Sequence, residues 1–180
     1  MEFRKELKYL SKSSSLNVSP EYLNLLAIQS TSKISSRVIT SPSLPFLDTE
    51  SRFSIMFNIY IAGMMPNNCK KNFVLNLFNS KFSKKIIPFH MSVRPEHQVI
   101  VRNSMSNYQW SPDEELYLEG PFPFVYGTHF DLMLCHKPNT VTVAVNGQLA
   151  FEWNNRMDFL IDTLEMTGNL LITSVRYEFK

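Results

Sequence analysis

The sequence predicts an all-β fold, a sandwich of two antiparallel sheets, and three observations lead to that prediction. Residues 53–61 place Phe or Ile at every odd position, which is the period of a strand with one buried face. Short segments of this kind recur along the chain at intervals typical of a sandwich. The dipeptide Asn146-Gly147 stands between two apolar segments and is a strong signal for a hairpin. Together these features favour a sandwich.

The individual strands follow from the alternation of apolar side chains and from the turn residues that end each run. Gly63 and Pro66-Asn67-Asn68, for example, close the first strand. In chain order, the predicted strands are residues 53–61, 73–78, 86–94, 98–103, 115–118, 130–135, 141–145, 149–153 and 170–179.

The register of the hairpin at Asn146-Gly147 can also be predicted. A two-residue loop would mix apolar and polar positions across the two strands, whereas a three-residue loop through Gln148 aligns the apolar ones. Because a shift of one residue moves every side chain to the other face, we predict the three-residue loop with a glycine bulge. The predicted partners are Val145, Val143 and Val141 on one strand and Leu149, Phe151 and Trp153 on the other.

The first part of the chain differs from the remainder. Residues 11–45 contain eleven serines, and no glycine occurs before Gly63. Such a stretch cannot bury much apolar area, so we expect residues 1–44 to form a largely mobile extension and residues 45–180 to form the folded domain. Residues 21–28 suggest a short amphipathic helix, either packed on the flank of the domain or presented to a partner.

The composition argues against several classes of function. The net charge is +2 and basic residues cluster only as pairs such as Lys70-Lys71, so we predict no nucleic-acid partner. Residues 1–7 interleave charged and apolar residues, which predicts neither a secretion signal nor membrane insertion. Cys69 and Cys135 are too few for a disulfide framework and are expected to be free thiols. The four histidines are scattered, so we predict no metal site and no cofactor.

Polar side chains are concentrated in the predicted strand 86–94. Alternation places His90, Ser92 and Arg94 on one face of this strand, with apolar residues on the other. Imidazole, hydroxyl and guanidinium groups together provide the donors and acceptors that sugar hydroxyls require. From alternation alone, an ordinary solvated outer face is the better interpretation.

Further candidates lie downstream in a turn-rich stretch. Asn103 stands near the end of a strand, and Trp110 lies close to the acidic residues 113–115. An indole can stack on the apolar face of a sugar ring while a carboxylate orients a neighbouring arginine. A core tryptophan is the alternative, and composition does not separate the two. Arg102 is unexplained, because alternation directs it towards the interior.

Three motifs in this region occur in a fixed order. They are His90-x-Ser92-x-Arg94, Val101-x-Asn103 and Trp110-x-x-Asp113. This order resembles the signature of the galectin family, H-x-N-P-R, V-x-N and W-G-x-E-x-R. The resemblance continues through segments far from these motifs, namely Phe122-Pro123-Phe124-x-x-Gly127, Val143-x-Val145-Asn146-Gly147, Phe151-x-x-Asn154-Asn155-Arg156 and Leu164-x-Met166-x-Gly168-Asn169-Leu170.

The resemblance implies a galectin-type jelly roll whose sugar lies across a concave sheet. Galectins are metal-independent lectins that bind β-galactosides, lack signal peptides, keep free cysteines, and act in the cytosol or after unconventional export. By resemblance, the residues expected to contact saccharide are His90, Ser92, Arg94, Val101, Asn103, Trp110, Asp113 and Glu115. Galectins often cross-link by dimerising, so a homodimer is compatible with the resemblance, although no residue indicates which edge would pair.

The sequence also departs from the family pattern. Ser92 replaces the asparagine of the first motif, and Asp113 shortens the expected glutamate by one methylene. Counting without a gap, Glu115 takes the place of the second arginine; sliding by one residue puts Glu114 on the glutamate and Leu116 on the arginine. Neither register restores the arginine, and a hydrogen bond to a charged group contributes about 1.5–3 kcal/mol. We therefore expect a weakened or altered preference for galactose-containing glycans.

Two other functions are alternatives to the lectin. One is a galectin-fold module for protein interaction that has lost useful sugar binding. The other is a glycoside hydrolase, which needs two carboxylates placed across the scissile bond. The acidic residues near the proposed site all fall within 113–115, and the strand of His90 carries no carboxylate, so we predict that the protein is not an enzyme.

Overall fold

A computed structural model describes residues 35–50, 53, 56–67, 71–117, 120–158 and 160–179. The helix predicted at residues 21–28 lies outside these ranges, as does Cys69. Within them the chain forms thirteen strands and two short 3-10 helices. The strands are β1 (Ser35–Thr40), β2 (Phe46–Thr49), β3 (Phe57–Met64), β4 (Phe73–Phe78), β5 (Ile86–Arg94), β6 (Val99–Ser106), β7 (Gln109–Trp110), β8 (Glu115–Tyr117), β9 (His129–His136), β10 (Thr140–Val145), β11 (Gln148–Asn154), β12 (Thr163–Thr167) and β13 (Leu171–Phe179). The 3-10 helices span Ser80–Lys85 and Pro95–His97.

The strands form two antiparallel sheets, which confirms the predicted β-sandwich. The six-stranded sheet has the order β1-β13-β3-β9-β10-β11. The seven-stranded sheet has the order β2-β12-β4-β5-β6-β7. The short strands β7 and β8 both pair with β6, at different positions along it. Their inner faces share one apolar core.

The core follows from the alternation along each strand. In β3, Phe57, Ile59 and Ile61 are buried against the opposite sheet, while the residues between them are only partly buried. The predicted strand 53–61 therefore has the buried face expected, although the strand itself begins at Phe57. Trp153 of β11 is also fully buried. Burial of such side chains is the main favourable term in folding.

The sandwich begins earlier in the chain than the predicted boundary after residue 44. Strand β1 pairs with β13 from Ser35 opposite Phe179 to Thr40 opposite Ser174. The serine content concealed this strand, because serine is uncommon in strand patterns and the alternation of β1 is between partly buried and exposed positions. An edge strand needs little apolar surface, since its outer side faces solvent.

The hairpin between β10 and β11 has the predicted core register but a different loop. Val141 lies opposite Trp153 and Val143 opposite Phe151, as predicted, yet Val145 pairs with Gln148 and leaves a two-residue loop. Asn146 and Gly147 both have positive φ angles, 52° and 75°, as a tight type I′ turn requires. The extra residue forms a bulge within β11 at Ala150, and this bulge restores the apolar alignment.

Candidate binding site

The outer face of the seven-stranded sheet carries the predicted polar residues. In β5, Phe89, Met91 and Val93 are fully buried in the core. Residues of opposite parity in a strand point to the opposite face, so His90, Ser92 and Arg94 lie together on the outer face. The irregularity of β5 against β6 lies between Ile87 and His90, and alternation is regular from Phe89 to Arg94. The predicted placement of the three polar side chains is confirmed.

A row of polar side chains crosses this face at the level of His90. The strand registers place Glu165 of β12 beside Asn76 of β4, Asn76 beside His90, and His90 beside Asn103 of β6. The Asn76 Nδ2 group donates to Glu165 Oε2 at 2.7 Å. His90 Nδ1 lies 2.7 Å from Asn76 Oδ1. The imidazole is thus linked to a carboxylate through an intervening amide.

His90 is held in its neutral form. Burial and, to a smaller extent, the positive charge of Arg94 lower its pKa from 6.5 to about 4, with Glu165 offsetting part of the effect. A neutral imidazole has one nitrogen that donates a hydrogen bond and one that accepts. At physiological pH the ring therefore presents both a donor and an acceptor.

Trp110 lies beside His90 on the same face. It pairs with Met105 in β7, and Met105 has the same parity as Asn103 in β6, which directs the indole to the outer face. The indole is 47% exposed, and its ring centroid lies 4.5 Å from that of His90. The alternative that Trp110 is a core tryptophan is wrong, and Trp153 has that role.

Ser92, Val101 and Asn103 form the floor of the site. Ser92 lies opposite Val101, and all three side chains are buried. The Asn103 amide is engaged with the neighbouring turn, since Nδ2 donates to the Ser111 carbonyl at 3.1 Å and Oδ1 accepts from Ser104 N at 2.7 Å. The Asn103 side chain consequently braces the turn that follows Trp110.

Glu115 does not share the face of His90. It lies directly opposite Arg102, and Arg102 lies opposite the core residue Met91. Directly opposed residues project from the same side of a sheet, so Glu115 and Arg102 point towards the inner side at the edge of the sandwich. Glu115 therefore lies on the opposite side of the sheet from His90, which differs from its expected place among the residues that contact saccharide.

Leu116 occupies the outer-face position instead. It lies opposite Val101, and its side chain is 47% exposed. The strand register therefore agrees with the second alignment to the family motif, in which Glu114 takes the place of the glutamate and Leu116 takes the place of the arginine. The position expected to hold a second arginine carries an apolar side chain.

Two arginines that sequence reasoning did not assign converge on Glu115. Arg156 Nη2 lies 2.9 Å from Glu115 Oε1, and Arg102 Nη2 lies 3.5 Å from Oε2. The Arg102 guanidinium sits over the Phe151 ring at 4.6 Å, which explains its inward direction. In the sequence, the only indication that Arg102 has this role is that alternation directs its side chain towards the interior.

Arg156 also holds the turn between β7 and β8. It donates to Ser111 Oγ at 3.2 Å and to the Asp113 carbonyl at 2.6 Å, and its guanidinium lies 4.3 Å from the centre of the Trp153 ring. Asp113 itself is exposed, and its backbone N donates to Ser111 Oγ. The turn next to Trp110 is therefore anchored to the far sheet.

Arg94 differs from these two arginines. Within the described part of the chain, no carboxylate lies within ion-pairing distance of its guanidinium, and its buried Nε has no hydrogen-bond partner. The acidic stretch at residues 113–115 contacts Arg102 and Arg156 rather than Arg94. Arg94 contributes a positive charge to the outer face.

The described residues contain no group of three or more His, Cys, Asp or Glu side chains arranged to hold a metal ion. Cys135 is a free thiol. Among the described residues, no helix is long and apolar enough to cross a membrane.

This combination of a two-sheet jelly roll and a polar outer face with an exposed tryptophan is that of a sandwich lectin. Residues 46–177 match the family described as galactoside-binding lectin. The chain belongs to this family, the galectins.

Known relatives agree with this assignment. The chain is 26% identical over 140 residues to galectin-4 of Rattus norvegicus, covering 76% of this chain and 42% of that protein. It is 28% identical over 122 residues to a 32 kDa beta-galactoside-binding lectin of Caenorhabditis elegans, covering 67% and 41%. The chain therefore spans less than half the length of these relatives.

Solved structures share the fold. Galectin LEC-6 of Caenorhabditis elegans superposes with a TM-score of 0.68 at 18% identity, covering 78% of this chain and 94% of that one. A toad ovary galectin in complex with N-acetylgalactose superposes with a TM-score of 0.63 at 22% identity, covering 76% and 99%.

Proposed function

We propose that this protein is a carbohydrate-binding lectin for galactose-containing glycans with an altered preference. The observation that carries the proposal is the outer-face row in which His90 and Asn103 lie on adjacent strands beside the exposed Trp110. A saccharide there would stack on the indole while its hydroxyls bond to the imidazole and to Arg94. Family membership and the beta-galactoside-binding relative support galactosides as the ligand class.

The altered preference follows from two positions. Leu116 stands on the outer face where the family pattern has an arginine, so no charged donor reaches a sugar from that strand. Ser92 offers a short, buried hydroxyl in place of an amide. Each lost charged hydrogen bond removes about 1.5–3 kcal/mol, which is large for a shallow site. Of the eight residues expected to contact sugar, we retain His90, Ser92, Arg94, Val101, Asn103 and Trp110, keep Asp113 at the rim, and replace Glu115 with Leu116.

A glycan array with the intact protein tests this function. We expect binding to galactose-terminated glycans at millimolar or lower concentration, and an Arg94→Ala variant should lose at least about tenfold in affinity, since that guanidinium is the outer face's charged donor. An Arg176→Ala variant, on the outer face of the other sheet, is the matched control and should bind like the wild type. Binding that persists in Arg94→Ala would place the sugar elsewhere.

The second candidate function is a protein-interaction module without useful sugar binding. The exposed Leu116 favours it, because an apolar side chain on this face suits a protein partner better than a sugar hydroxyl. Absence of binding to every galactoside on the array would support this alternative. In either case we propose a cytosolic location, and homodimerisation is a further proposal.

Catalysis is not part of the proposed function. Glu165 lies on β12, four strand positions from the β7–β8 edge that carries Asp113 and Glu114. At about 4.8 Å per strand this separation is about 19 Å. Glycoside hydrolysis requires carboxylates about 5–10 Å apart. The acidic residues near the site are therefore too far from Glu165 to act as a pair.

A further inference from the structure

Glu165 is a buried carboxylate that the proposed lectin function leaves unexplained. Its residue is only 8% exposed, and it lies on the face of the sheet that carries His90, two strands away. Carboxylates are rarely buried unless they are hydrogen-bonded. Its contact with Asn76 connects it to the imidazole.

The Asn76 amide can adopt one orientation between these two neighbours. A carboxylate accepts hydrogen bonds and does not donate them, so the group of Asn76 that faces Glu165 at 2.7 Å must be the NH₂. The carbonyl oxygen is then directed to His90 Nδ1, at 2.7 Å. An amide oxygen only accepts, so Nδ1 must carry the proton.

The protonation state of the second ring nitrogen of His90, Nε2, follows from that of Nδ1. His90 is neutral, because its pKa is lowered to about 4. A neutral ring with its proton on Nδ1 has a lone pair on Nε2. Within the described residues, Nε2 has no protein hydrogen-bond partner, and the ring lies beside the exposed Trp110.

We propose that Glu165 is a positioning residue that acts through Asn76 to hold the proton of His90 on Nδ1, so that Nε2 accepts a hydroxyl hydrogen from a neutral saccharide. The chemistry follows from the lone pair. A ligand hydroxyl can donate a hydrogen bond to Nε2. A sulfate, a carboxylate or a fluorine at the same place cannot, because each of them only accepts hydrogen bonds, as the Nε2 lone pair does. This inference deepens the proposed lectin function and rests on it for the identity of the ligand.

The tautomer is tested first by NMR of ¹⁵N-histidine-labelled protein without sugar. For the wild type we expect a pyrrole-type Nδ1 and a pyridine-type Nε2 at His90 near pH 7. A pyrrole-type Nε2 would overturn the proposal. This measurement needs no variant and no ligand.

The role of Glu165 is tested with Glu165→Gln, which keeps the shape and replaces the carboxylate with an amide. A glutamine can accept from Asn76 or donate to it, so the Asn76 amide is free to flip and both His90 tautomers should be populated. A Glu178→Gln variant on the outer face of the other sheet is the matched control and should leave the His90 spectrum unchanged. An unchanged Nδ1–H spectrum in Glu165→Gln would overturn the role of Glu165.

The ligand chemistry is tested with lactose and with a set of lactose derivatives. In each derivative, fluorine replaces one hydroxyl group of the galactose ring. Fluorine accepts weakly and never donates, so one position should show at least a tenfold loss of affinity in the wild type and less than a threefold loss in Glu165→Gln. Equal losses of affinity in both proteins would overturn the proposal that Glu165 makes Nε2 of His90 select a ligand hydroxyl. If neither protein binds lactose, the proposed function and the ligand half of this inference fail together, while the NMR result still decides the tautomer.

Discussion

Arg156 Nη2 donates to Glu115 Oε1 at 2.9 Å, and the contact ties the edge of one sheet to the other across the open side of the sandwich. Arg102 approaches the other oxygen of the same carboxylate. The two guanidinium groups lie over the core aromatics Trp153 and Phe151. The cluster thereby closes the core and anchors the turn next to Trp110.

Replacing Arg156 should loosen that turn. Lysine keeps the charge but cannot reach Ser111, Asp113 and Glu115 together, because it lacks the planar guanidinium. We expect Arg156→Lys to lower the free energy of unfolding by about 1–3 kcal/mol. Urea denaturation measures this change.

The matched control is Arg176→Lys, whose ion pair with Glu178 lies on a partly exposed strand face. Such exposed pairs contribute about 0–1 kcal/mol. Equal losses of stability in the two variants would contradict the special role of Arg156.

The register of β8 predicts which substitution can restore an arginine to the site. Leu116→Arg places a guanidinium on the outer face beside Val101, so we expect about tenfold tighter binding of galactosides. Isothermal titration calorimetry with lactose measures the change.

Glu115→Arg is the counterpart and should not strengthen binding. It would set a third cation against Arg102 and Arg156 and lower stability by about 1 kcal/mol or more. If this variant gained affinity and Leu116→Arg did not, the register of β8 would be wrong.

The stability of the protein should depend on pH through His90. Its pKa is lowered by burial and then by Arg94, to about 4 from 6.5, with partial compensation by Glu165. Between these values the unfolded chain binds a proton that the folded protein excludes, so the free energy of unfolding falls as the pH is lowered from 6.5 to about 4 and then levels. Urea denaturation across this range, compared with His90→Gln, should show a smaller slope in the variant. An NMR titration midpoint for His90 near 6.5 would refute the explanation.

Two glycines with positive φ should differ in their tolerance of a side chain. A Cβ at Gly168 would lie 2.4 Å from the Asn72 carbonyl and 2.6 Å from the Phe73 Cα, both backbone atoms that cannot move aside. A Cβ at Gly147 meets nothing within 4 Å, so only the left-handed backbone opposes it, at about 1–2 kcal/mol. We expect Gly168→Ala to lower the melting temperature clearly more than Gly147→Ala does. Equal shifts would contradict the close approach at Gly168.

Much of the seven-stranded sheet was predictable from local alternation. The bounds of β4 and β5 match the predicted strands, and the shared face of His90, Ser92 and Arg94 follows from parity alone. By contrast, β12 was not predicted as a strand, although its five residues Thr163–Thr167 alternate between polar and apolar side chains. Alternation would have assigned Glu165 to a solvated face, whereas its burial depends on the neighbouring strand that carries Asn76.

The sequence by itself determined most of the strands, their buried faces and the resemblance to the family, because each depends on residue order within short segments. The tertiary structure alone decided that Leu116 rather than Glu115 joins the face of Val101, and that Glu165 reaches His90 through Asn76. Parity within a strand is a local property. Register between strands depends on the turns and packing that join distant segments, and a shift of one residue exchanges the two faces.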